Sequence, residues 1–127
     1  MLVSSNEDST WITDHGNGAL AVGFKRISTD EAKKMMEAAS SENPPLMVQI
    51  VDIRDDQSYA AGHIEAAIHL HNANLQEFIQ NAEYDLPLMV YCYHGHMSQS
   101  AAAYLAEQGF TQTYSLDGGY EAWINNQ

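Results

Sequence analysis

From Phe24 onward the chain alternates short apolar runs with amphipathic stretches. Ser28-Thr29-Asp30-Glu31 has the spacing of a capping box, in which Ser28 caps a helix start and Glu31 reaches back to it. Ala32, Met35, Met36 and Ala39 then recur on one helical face, and methionines at that spacing pack a core. Residues 40–45 read as a loop. Leu46-Met47-Val48-Gln49-Ile50-Val51 is a nearly unbroken apolar run of strand length, the mark of a strand buried on both faces. A helical turn follows over residues 56–61 and stops at Gly62. Residues 67–70 form a second short strand, and Leu75, Phe78 and Ile79 mark an amphipathic helix. Pro87-Leu88-Met89-Val90-Tyr91 is a third buried strand; Ala101, Leu105 and neighbouring alanines form a helix ended by Gly109. Thr113-Tyr114-Ser115-Leu116 is a fourth strand, Asp117-Gly118-Gly119 a turn, and residues 120–124 a last helix. Strands alternating with helices predict an α/β domain with a mainly parallel central sheet flanked by helices.

Residues 1–23 stand apart, with Gly16, Gly18 and Gly23 among scattered hydrophobes and no sustained period. They read as a flexible extension, or as a segment that packs Trp11 or Ile12 onto the domain, which itself spans residues 24–127. At 127 residues the chain fits one core. Its 5 Lys+Arg against 17 Asp+Glu give a net charge of −12, which argues against nucleic-acid binding and against docking on an anionic membrane. No apolar stretch approaches the roughly 18–20 residues of a membrane span. The start, Met1-Leu2-Val3-Ser4, lacks the positive charge and apolar run of a secretory signal, so the cytoplasm is the expected compartment.

A single cysteine, Cys92, excludes an intramolecular disulfide, a Cys-rich zinc site and an internal two-cysteine redox couple. Cys92 closes the run Leu88-Met89-Val90-Tyr91, at the carboxyl end of a buried strand, where open α/β sheets bind ligands. Tyr93-His94-Gly95-His96-Met97-Ser98 leads from it into a helix. Gly95 lets that loop curl, so that backbone N–H groups point inward as an anion-binding nest at the helix's positive end. Ser98 reads as the cap of that helix. A thiol centred on such a nest is a nucleophile; the other reading is an ordinary buried strand cysteine.

Three signatures carry a resemblance to the rhodanese (sulfurtransferase) family. They are Val51-Asp52-Ile53-Arg54 with Tyr59, Gly62-His63-Ile64 and Ala67-Ile68; Val90-Tyr91-Cys92-Tyr93-His94-Gly95 with Ser98, Ala102, Leu105, Gly109 and Phe110; and Leu116-Asp117-Gly118-Gly119-Tyr120 with Trp123. The resemblance covers about residues 24–127, and the loop most resembles that of GlpE-type single-domain thiosulfate sulfurtransferases. The resemblance implies a three-layer domain and a strand order. It also implies that Cys92 takes the outer sulfur of thiosulfate, or of another sulfane-sulfur donor, as a persulfide and passes it to cyanide or a thiol, such as that of a thioredoxin-like protein. The amides of Tyr93, His94, Gly95, His96, Met97 and Ser98 would cradle the substrate, with no metal and no cofactor.

Many rhodaneses place Arg or Lys in this loop, often where Met97 stands; here no Arg or Lys follows Arg54. Only His94 and His96 offer positive charge, so weak thiosulfate affinity is expected. Cysteine phosphatases of related fold grip phosphate with an Arg six positions after the Cys, where this chain has Ser98. Cys92, His94 and His96 alternate, which with His69 or His71 suggests a metal site, but the Gly95 loop breaks the alignment. A Cys–His hydrolase needs a base, and His94 is too close in sequence to Cys92 to serve freely. Asp52 and Arg54 could serve as a general acid and an anion grip, but they read rather as structural, Asp52 bonding nearby backbone and Arg54 pairing a carboxylate. His63 reads as a satisfied turn residue. Tyr91 and Tyr93 flank the thiol, as packing or as pocket wall. A sulfur relay module, loaded by one partner and unloaded by another, with Tyr93, His94, His96 and Met97 as its docking rim, is one remaining alternative; an inactive structural copy is the other, disfavoured by the intact Cys92 loop.

Overall fold

The computed structural model describes residues 23–127; the extension expected over the preceding residues, with Trp11 and Ile12, lies outside them. Five strands form one parallel sheet: β1 (Lys25–Ile27), β2 (Gln49–Asp52), β3 (Ile68–His69), β4 (Leu88–Tyr91) and β5 (Thr113–Leu116), in the order β1-β5-β4-β2-β3. The helices are α1 (Thr29–Ser40), α2 (Asp56–Ala61), α3 (Leu75–Asn81), α4 (Met97–Glu107) and α5 (Gly119–Asn125).

The period-2 geometry of the central strand splits the core in two. Leu88 and Val90 of β4 join Val51, Leu75, Ile79, Ala102, Leu105 and Phe110 on the side of α3 and α4. Met89 and Tyr91 turn the other way, to Ile50, Ala32 and Leu116, with Met35, Met36 and Trp123 packed against them from α1 and α5. Helices on both faces of a parallel sheet make the three layers, and they explain why β4 reads as continuously apolar. The Ser28 capping box forms as read: Glu31 N–H donates to Ser28 Oγ at 3.1 Å, and Ser28 N–H to Glu31 Oε1 at 2.8 Å.

One expectation shifts, and one strand was not expected. The strand expected from Leu46 begins at Gln49, and Leu46 and Met47 are 47% and 66% exposed. Hydrophobicity alone extended the run, while the partner strand β4 starts its ladder only at Leu88, opposite Gln49. β1, with the sequence Lys-Arg-Ile, shows no apolar pattern because it is an edge strand burying only Ile27.

Candidate active site

The carboxyl end of β4 and the amino end of α4 are joined by five residues that wrap around one sulfur atom. Cys92 is 2% exposed. Its Sγ accepts hydrogen bonds from the N–H of Gly95 at 3.3 Å and of Ser98 at 3.2 Å. Two backbone donors and the positive end of an eleven-residue helix thus converge on the thiol, which favours negative charge there. The thiol itself donates to Ser98 Oγ at 3.4 Å, and that hydroxyl lies 2.8 Å from Ser115 Oγ on β5.

Ser98 is not the helix cap. His96 takes that position, without a side-chain cap bond, and Ser98 is the second residue of the helix, with no exposed surface. Its hydroxyl turns inward because Cys92 and Ser115 both lie within reach below it.

The loop is locked in place by glycines. Gly95 has φ +95°, and a Cβ there would come within 2.7 Å of Gly118 N. Gly119 has φ +61°, and a Cβ there would lie 2.5 Å from the carbonyl oxygens of Cys92 and Tyr93. That close approach lets α5 clasp the loop: Tyr120 N–H donates to Cys92 O at 2.8 Å and Glu121 N–H to Tyr93 O at 3.2 Å. The glycine turn after β5 therefore seats the nucleophile as well as starting a helix.

Beneath lies a buried ion pair. Arg54 Nη2 and Asp52 Oδ2 are 2.7 Å apart, Arg54 N–H donates to Asp52 Oδ1 at 2.8 Å, and Nη2 also donates to Gly62 O at 2.7 Å. The guanidinium carbon stands 4.1 Å over the Tyr120 ring. Burial alone would raise the Asp52 carboxyl, but hydrogen bonds from the Arg54 side chain, with Tyr91 and the Arg54 amide, hold it below its usual value. Burial and the bond to Asp52 raise the Tyr91 phenol, so it stays protonated; it accepts from Ile64 N–H at 3.0 Å. Asp52 thus bonds nearby backbone and Arg54 pairs a carboxylate.

The other loop residues diverge. Tyr93 swings its phenol away from the sulfur to the Asp55 carboxylate and to Ser58 Oγ at 3.0 Å. The bond from Tyr93, with that from Ser58 N–H, lowers the Asp55 carboxyl. His94 points outward, with Nε2 2.9 Å from Glu121 Oε1. His96 is exposed, as is Met97, at 61%. His63 stacks on Tyr59 and lies 2.8 Å from its carbonyl, as a satisfied turn residue. His69 Nε2 lies 2.6 Å from the Arg54 carbonyl. Among the described residues no three His, Cys, Asp or Glu side chains gather to hold a metal ion. The amides that reach Sγ are those of Gly95 and Ser98, two of the six in the expected cradle.

Ser115, Asp55, Ser58 and Glu121 touch the site without having been legible as parts of it. Asp55 alone carried a local signal, as the N-cap of α2, accepting from Ser58 N–H at 2.7 Å.

A cysteine ringed by backbone donors at a strand-to-helix turn, in a three-layer parallel domain, defines a class. Residues 28–126 match the family model of the rhodanese-like domain, and the chain belongs to that family. It is 52% identical over 100 residues to thiosulfate sulfurtransferase GlpE of Ectopseudomonas mendocina, covering 79% of this chain and 84% of the relative. It is 53% identical over 100 residues to the protein of the same name from Shewanella oneidensis, covering 92% of that relative. Among solved structures, the rhodanese-like domain protein of Staphylococcus aureus superposes with a TM-score of 0.64 at 28% identity, over 79% of this chain and 91% of that one. No helix among the described residues is long and apolar enough to cross a membrane.

Proposed function

We propose that this protein is a thiosulfate sulfurtransferase that works through a persulfide on Cys92. The observation that carries the reading is the pair of N–H donors, from Gly95 and Ser98, aimed at a buried Sγ at the head of α4. About half the residues over 100 positions are shared with proteins named for that activity.

The first step is a displacement. The Cys92 thiolate attacks the outer sulfur of thiosulfate, an S–S bond forms, the S–S bond of thiosulfate breaks, and sulfite leaves with the electron pair. Charge balances, since a monoanion and a dianion give a persulfide anion and sulfite dianion. The loop stabilises anionic sulfur as an oxyanion hole stabilises oxygen. The N–H groups of His94 and His96 have no acceptor among the described residues and serve the incoming anion. Tyr93, Gly95, Met97 and Ser98 complete the cradle. The second step returns the electron pair to Cys92 as the outer sulfur passes to cyanide, giving thiocyanate, or to a thiol. One cysteine suffices because the second sulfur nucleophile belongs to the acceptor. Such a thiol stays reduced in a cytoplasmic compartment, where small thiols and thioredoxin-like dithiols are both available as acceptors.

Phosphatase chemistry has no support from this site. Ser98 occupies the position of the phosphate-gripping Arg, and the guanidinium of Arg54 is held by Asp52 and Gly62. Thiocyanate formation from thiosulfate and cyanide tests the proposal. Turnover that disappears in Cys92→Ser is expected; turnover that survives the substitution, or is absent from the unaltered protein, overturns it.

A further inference from the structure

Beside the active-site loop, on the side of β3, a cavity of about 510 Å³ opens at the carboxyl ends of β2 and β3. That is the size range of small-molecule sites. Its floor is apolar, built from Ile53, Leu70, Leu75 and Leu105, with Ala101 on the flank of α4. It shares Met97 with the catalytic loop, and that side chain is largely exposed although apolar. It also shares Asp55, whose carboxylate holds the phenol of Tyr93, the residue next to Cys92. The cavity therefore abuts the loop at Met97 and at the Asp55–Tyr93 contact. Sulfur donation does not use it: thiosulfate is small and doubly charged, and an apolar floor offers it nothing.

The charges around the cavity restrict what enters. Asp55 and Asp56 stand on its rim, with Asp56 92% exposed. Asp55 is held as carboxylate by its hydrogen bonds. Arg54 reaches the wall, but its side chain is 4% exposed and its guanidinium faces Asp52 and Gly62. No Lys or Arg follows it in the chain. His69 is turned to the Arg54 carbonyl.

We infer that this cavity is the acceptor subsite, and that the acceptor is a small thiol with an apolar body and no negative charge. The inference rests on the reading of Cys92 as persulfide carrier and names the substrate of its second step. The acceptor's apolar part lies on the Leu70–Leu75–Leu105 floor while its sulfur meets the loop past Met97. The acceptor thiolate bonds to the outer sulfur, the S–S bond to Cys92 breaks, and the electron pair returns to Cys92. The acceptor's thiol proton goes to solvent, and no oxidant or reductant is needed.

The full chain, saturated with thiosulfate, is assayed with cyanide and three thiols: benzyl mercaptan, 2-mercaptoethanol and 2-mercaptoethanesulfonate. Cyanide needs no subsite and reports the parent chemistry alone. Benzyl mercaptan is expected to exceed 2-mercaptoethanol in kcat/KM by at least about tenfold, as burial of several apolar carbons implies. The sulfonate falls below both. Asn72→Trp, at the exposed rim, and Ala101→Met, within the wall, should each remove the benzyl advantage and leave thiosulfate:cyanide turnover unchanged. Thiols that agree within about twofold overturn the inference, as does a benzyl preference that survives both variants. Loss of cyanide turnover in the unaltered protein overturns the parent reading, and the subsite with it.

Discussion

The Ser98 hydroxyl lies 2.8 Å from Ser115 Oγ and 3.4 Å from Cys92 Sγ, and both serines are fully buried. β5 thereby reaches the nucleophile through one intermediary. A buried hydroxyl with only two partners has few other orientations, so Ser115 fixes where Ser98 directs its hydrogen-bonding group. Ser98→Ala should lower kcat about tenfold or more, the worth of one hydrogen bond to a charged group. Ser115→Ala should lower kcat less and leave the thiosulfate KM nearly unchanged, with recovery in Ser115→Thr. Steady-state kinetics on the three variants check this; a Ser115→Ala enzyme altered only in KM contradicts it.

Gly119→Ala places a Cβ 2.5 Å from the Cys92 and Tyr93 carbonyls at a positive φ, against backbone that has no room to retreat. A loss of roughly 2 kcal/mol or more is expected from strain alone. Activity falls further than stability, because the displaced atoms carry the nucleophile. Gly23→Ala, with nothing within 4 Å, is the neutral control. Chemical denaturation and turnover of both variants make the comparison.

Asp52→Asn leaves the Arg54 guanidinium buried without its carboxylate, which should cost about 3–5 kcal/mol. The pH dependence follows from the lowered Asp52 carboxyl. The folded protein binds that proton less readily than the unfolded chain, so the stabilisation is complete at neutral pH. It fades as pH falls through about 4 and below. Urea midpoints at pH 7 and pH 3 should therefore drop more for the unaltered protein than for Asp52→Asn. Equal drops would remove Asp52 from the acid sensitivity.

Thiosulfate should bind weakly, since the His94 imidazole of the loop is turned to Glu121. Glu121→Gln frees His94 and removes a negative charge, and should lower the thiosulfate KM by up to about fivefold at low salt. The difference should vanish at high ionic strength. A tight, salt-insensitive KM in the unaltered protein contradicts this picture.

What the sequence made legible was local. The capping box at Ser28 and Glu31, the buried strand at Leu88–Tyr91 and the thiol at its carboxyl end are each written in a few adjacent residues. β1 was not, because an edge strand with one buried residue has no periodicity to detect. Ser98 looked like a cap, since a serine before a helix is the ordinary cap signal; only tertiary contact with Ser115, 17 residues away, turns it inward. The same holds for Tyr93 with Asp55, 38 residues apart, and for His94 with Glu121. Such pairs exist because the sheet brings three loops to one edge, and no spacing encodes them.

The central claim is that sulfur resides covalently on Cys92 between donor and acceptor. Intact-mass measurement after incubation with thiosulfate, without reductant, tests it directly. The expected result is a gain of one sulfur atom, removed by cyanide or a thiol and absent in Cys92→Ser. An unaltered protein that turns over thiosulfate without gaining that mass, or a Cys92→Ser variant that still gains it, contradicts the claim.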